Sequence, residues 1–157
     1  MRGAVPLILL SALAALAPAC SRPQTKGQTP IAEADIPQAR AGLWRGDVQV
    51  EGEQPVSSTF CAAAHPVVQP RIGKCSRYEV VRTAAGAIES DSTCVDTDGA
   101  TWVLHGVVVG DPNTAFTQDG TMKIYARGAA SPRVINGHMS FRYLGACPPG
   151  AKPTPGP

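Results

Sequence analysis

Aromatic residues are scarce in this 157-residue chain: three Phe, three Tyr and two Trp make up 5% of it. So few large rings leave a thin core, and a small domain then draws stability from elsewhere. An excess of one charge is missing too. Fourteen Lys and Arg offset twelve Asp and Glu, for a formal net charge of +2, too balanced for a dedicated nucleic-acid binder. The sequence has no Gly-x-Ser-x-Gly elbow, His-Glu-x-x-His pair, P-loop or Gly-x-Gly-x-x-Gly turn. The common hydrolase, metalloprotease and nucleotide-binding signatures are therefore absent. No catalytic residue, cofactor or metal site is expected. The main apolar run, Ala4 to Ala17, is shorter than the ~20 residues a membrane-crossing helix needs.

That run does have a reading. Met1-Arg2-Gly3 supplies a positive charge before it, and Ala17-Pro18-Ala19-Cys20 closes it with small residues. This is the pattern of a secretory signal peptide over residues 1–19. The alternative, a buried N-terminal helix, conflicts with Pro6 and Pro18. Leu16-Ala-Pro-Ala-Cys20 resembles a bacterial lipobox, although Ala17 stands where the usual Leu would. The resemblance implies a lipid on Cys20 and a membrane partner reached through it. Ordinary cleavage after Ala19 would instead leave a free thiol. Five cysteines minus Cys20 leave four, an even set suited to two disulfides in an oxidising compartment, which favours lipidation. The chain is thus expected in a bacterial envelope, facing the periplasm. Ser21 resembles the residue that follows the cysteine in outer-membrane lipoproteins.

From Cys20 to Ala41 the composition is polar and Pro-containing, without hydrophobic period, and predicts a flexible linker. Ile31 to Ile36 can form one helical turn before Pro37. At the other end Pro148 to Pro157 holds five prolines and reads as a disordered tail. Between these lies a β domain from Gly42 to Cys147. Its apolar residues recur with period two: Trp44, Val48 and Val50; Tyr78 and Val80; Met122 and Ile124; Ile135, Met139, Phe141 and Tyr143. Trp102 to Val109 is apolar on both faces, as a central strand is. Ala84-Ala-Gly86, Asp96-Thr-Asp-Gly99, Gly110-Asp-Pro-Asn113 and Asn136-Gly137 read as turns. The expected fold is all-β: one antiparallel, curved sheet of about five to seven strands, half-barrel or lipocalin-like, with at most one short helix near Cys61-Ala-Ala-Ala64.

Four cysteines allow three connectivities. The Tyr78 and Ile88 strands meet at a turn near residue 85, which places Cys75 and Cys94 almost opposite each other across a hairpin. Cys61 then pairs with Cys147. The rival reading, a zinc site, lacks any Cys-x-x-Cys knuckle. The three histidines, His65, His105 and His138, have no ligand-pair spacing. Asp96 to Gly99 opens like a calcium loop, but the twelfth position is Val107 rather than Glu. Arg71, Lys74 and Arg77 form a basic cluster that reads as a solvated edge or as a contact for anionic headgroups.

Gly42-Leu-Trp-Arg45, Cys61, the Cys75 to Cys94 hairpin, Gly120-Thr-Met-Lys123 and Arg142-Tyr-Leu-Gly-Ala-Cys147 fall in an order similar to the proteobacterial domain of unknown function 3617 family. That resemblance covers Gly42 to Cys147 and implies a secreted β domain with no established activity, so it carries no catalytic residues over. The expected role is a non-enzymatic binding module for a hydrophobic or envelope-derived ligand. The alternatives are a protein-interaction module using Asp111 to Thr114, an inhibitor or accessory factor of another envelope protein, and a hydrolase in which histidines and carboxylates converge. If Cys20 carries the anchor, Cys20→Ser moves the exported chain from the membrane to the soluble fraction, as cell fractionation with intact-mass analysis reads directly.

Overall fold

The computed structural model describes residues 27–68, 71 and 73–154. The expected signal peptide and Cys20 lie outside the described residues. Among the described residues ten strands follow in order: β1 (Thr29–Pro30), β2 (Gln38–Ala39), β3 (Gly42–Val50), β4 (Val56–Ala62), β5 (His65–Pro66), β6 (Lys74–Arg82), β7 (Ile88–Val95), β8 (Thr101–Asp111), β9 (Ala115–Tyr125) and β10 (Arg133–Gly145). A 3-10 turn at Glu33–Asp35 separates β1 from β2, where Pro37 stops further helix.

Strands β6 to β10 form an antiparallel meander, and β10 then pairs with β3, which carries β4 as a hairpin. The sheet has eight strands in the order β1-β6-β7-β8-β9-β10-β3-β4, while β2 and β5 pair separately. It carries the core on one face and is not closed, with β1 and β4 at its edges. The expected count of five to seven strands is too low, for two reasons. Strand β1 spans only two residues, too short to show a period. Strand β4 is an edge strand of Val-Ser-Ser-Thr-Phe-Cys-Ala, mostly exposed, so it lacks apolar alternation. The helix expected near Cys61 does not form either, because Cys61 and Ala62 complete β4. Among the described residues there is no α-helix.

The domain also reaches beyond the expected boundaries. Within the stretch read as linker, Ile36 and Ala39 are buried and the Ile31 N–H donates to the Val80 carbonyl. Single apolar anchors of this kind leave no periodic signal. In the stretch read as a disordered tail, Thr154 forms a parallel bridge with Ala62. Its N–H donates to the Cys61 carbonyl at 2.8 Å.

The core lies under one half of the inner face. Val67 and Val68, on the crossover from β5 to β6, join Ile36 and Ala39 to cover it. Trp44 is 1% exposed, and its indole N–H donates to the Arg40 carbonyl at 2.9 Å. Phe116 and Tyr143 meet its ring edge-on, with centroids 5.8 and 5.4 Å away. Phe141 stacks on Phe116 at 4.9 Å and meets Phe60 at 6.5 Å. Gly42, at φ 148°, sits where a Cβ would strike the Tyr143 ring and the Gly145 carbonyl. The Gly-Leu-Trp motif is thus spent on packing. Disulfides join Cys75 to Cys94 across the β6–β7 hairpin and Cys61 to Cys147, tying edge strand β4 to the end of β10.

Two outcomes follow for urea unfolding. Trp44→Ala lowers stability by about 3–5 kcal/mol. Replacing Cys61 and Cys147 by Ala costs more than replacing Cys75 and Cys94, about 4 against about 3 kcal/mol on the loop-entropy scale.

Candidate functional site

The cover does not reach the second half of the inner face. There the antiparallel register lines up Ser90, Gly106, Gly120, Gly137 and Val50 across five adjacent strands. Three successive glycines put a gap where a row of side chains would stand. One wall of that gap is the row Gln118, Met139 and Val48, and the other is Leu104, Met122 and Ile135. The result is an open, mainly apolar trough of about 190 Å³. Glycine inside a strand weakens it and marks a close approach of a ligand or backbone. None of the three glycines has a positive φ, so backbone conformation does not demand them.

Sequence reasoning missed this feature. Asn136-Gly137 reads as a turn, yet it lies inside β10. Its turn preference is overridden because Asn136 is held across the sheet. The Asn136 side-chain amide donates to Glu51 at 2.7 Å, and its oxygen accepts from the Thr121 hydroxyl at 2.9 Å. The usable signal was the spacing of glycines in three alternating segments, which register alone brings side by side.

The expected candidates lie elsewhere. On the other face of the sheet His105 Nδ1 is 3.0 Å from Asp91, and His138 Nδ1 is 2.7 Å from Asp119. His65 is on β5, with Nδ1 2.9 Å from the Ala63 carbonyl. The structure therefore forms two exposed His–Asp pairs, and His105 and His138 line one shallow, open depression with Asp119 and Glu51. Neither paired imidazole has a serine or threonine hydroxyl as its partner, the arrangement a nucleophile needs. Among the described residues no group of three or more His, Cys, Asp or Glu is placed to hold a metal ion.

The basic cluster is divided. Arg71 pairs with Glu33 at 3.1 Å and lies over the Tyr78 ring, whereas Arg77 pairs with Glu79 and Asp91. Asp96 to Gly99 forms the β7–β8 turn. Asp96 accepts the Asp98 and Ala100 N–H groups and the Trp102 indole N–H at 2.8 Å. The Asp111 to Thr114 turn closes on itself through the Asp111 carboxylate. It is also held from outside, since the Pro112 and Thr114 carbonyls accept from Arg40 and Tyr143.

No family model, curated protein or solved structure matches the chain. The site is therefore read from its own geometry.

Three turn and strand carboxylates have depressed pKa values. Asp96 is lowered chiefly by the Trp102 indole, Asp111 by the Asn113 backbone N–H, and Asp47 by the Ser57 hydroxyl. A carboxylate whose folded pKa lies below its unfolded value stabilises the fold above that unfolded value. The contribution disappears as pH falls through the folded one. Urea midpoints are accordingly expected to fall as pH drops below about 4, and Asp96→Asn is expected to flatten that slope.

Proposed function

We propose that this chain is an exported lipoprotein, tethered through Cys20 to the periplasmic side of a bacterial envelope. Its β domain holds the apolar part of a hydrophobic or envelope-derived ligand in the trough and does no chemistry on it. The three-glycine floor of Gly106, Gly120 and Gly137 carries this reading. Each glycine weakens its strand by about 0.5–1 kcal/mol relative to alanine, and together they keep a concavity empty that ordinary strand residues would fill. Met122 and Met139 stand in its opposite walls. Flexible, polarisable thioethers suit a surface that must fit an apolar guest. The signal-peptide pattern and the resemblance to an envelope family support the same location.

The interaction reading has less behind it. The Asp111 to Thr114 turn is committed to its own hydrogen bonds and to Arg40 and Tyr143, and no apolar anchor projects from it.

The test fills the trough. A Cβ at Gly120 would lie 3.5 Å from its nearest neighbour, the His105 carbonyl, which is ordinary contact. Gly120→Val is therefore expected to keep or raise the urea midpoint, since valine favours strands. In the Cys20→Ser chain it should weaken binding of the neutral fluorophore N-phenyl-1-naphthylamine at least tenfold. Equal binding by both proteins would count against the trough.

A further inference from the structure

We infer, resting on the reading that the trough takes an apolar ligand, that its occupant is a single-chain amphiphile with an uncharged, hydrogen-bonding head seated at Ser90 and Gln118. A hydroxyl, ester or amide head fits. The glycine row ends on β7 at Ser90, beside Gly106. A Cβ on Gly106 would stand 3.2 Å from Ser90 Oγ and 3.9 Å from Gln118 Nε2, so a hydroxyl and a carboxamide converge above a residue with no side chain. Both residues are half-buried. Among the described residues neither side chain has a hydrogen-bond partner. Polar groups at the edge of an apolar surface gain from a ligand that satisfies them.

The far end of the trough, at Val50, Met122 and Ile135, offers only apolar contact. No Lys, Arg, Asp or Glu lines any part of it; His105 borders it, with its Nδ1 held 3.0 Å from the Asp91 carboxylate. A carboxylate or phosphate head would lose water without meeting a cation, which is costly. A neutral head that donates and accepts matches the hydroxyl and carboxamide pair. The volume of about 190 Å³ exceeds the ~150 Å³ of an apolar cavity that holds benzene, room for roughly seven or eight chain carbons on that scale.

The experiment uses the Cys20→Ser chain at pH 7, with N-phenyl-1-naphthylamine displaced by 1-octanol, octanamide or sodium octanoate. Octanol and octanamide are expected to displace it at concentrations at least tenfold below octanoate. Ser90→Ala and Gln118→Met should each weaken octanol about fivefold relative to the fluorophore, the worth of one hydrogen bond, while the urea midpoint stays level. Octanoate equal to or better than octanol, or octanol bound as tightly by both variants as by the parent chain, overturns the neutral-head inference and leaves the apolar site standing. A fluorophore that binds nowhere, or that is excluded because two copies close face to face, removes the proposed function and this inference with it.

Discussion

Five of the eight aromatic rings, those of Trp44, Phe60, Phe116, Phe141 and Tyr143, meet at one end of the sheet. The rest of the structure depends on that meeting. The Trp44 indole fixes the arm before β3 through the Arg40 carbonyl, and the arm in turn brings Ile36 and Ala39 over the rings. Val67 and Val68 complete the cover from the crossover side. With so few rings, and with no helical layer among the described residues, the domain closes only half of its inner face. The uncovered half is therefore not a packing defect. It follows from concentrating a small apolar supply in one place, with disulfides stiffening the strands around it.

Much of the sheet was legible. The two faces of β3, β9 and β10 follow the alternation at Trp44 to Val50, Met122 to Ile124 and Ile135 to Tyr143, because each strand has one face towards the core or trough and one towards solvent. The hairpin arithmetic around residue 85 puts Cys75 nearly opposite Cys94, and a register shift between Cys75 and Arg77 brings the two into line. What escaped was set by tertiary context. Strand β4 is held by its partner and by Cys61, not by its own composition. Ile36 and Thr154 dock as isolated contacts in polar surroundings. The trough escaped for a related reason: glycines 106, 120 and 137 are separated in the chain, and only strand pairing makes them neighbours. Of the expected candidate residues, His105 and His138 proved to be strand-face residues paired with aspartates.

The motifs that suggest a family divide by task. Gly42 and Trp44 build the aromatic cluster, Tyr143 joins it from β10, and Cys147 ties β4 down just past the end of that strand. Gly120 and Met122 face the trough. A motif can therefore record the demands of packing at one end of a strand and those of an open surface at the other.

The way β1 joins the sheet has a mechanical consequence. Any pull from the N-terminal side meets a pairing of two residues with β6, which can open one bond at a time. Load then passes along the chain to the buried Ile36 and Ala39 and to the short β2–β5 pair, while β6 stays linked to β7 through Cys75 and Cys94. The first strand therefore acts as a yielding clasp ahead of the docked arm. Tension can lengthen the reach of the arm, while the β6–β7 hairpin stays joined at its disulfide end.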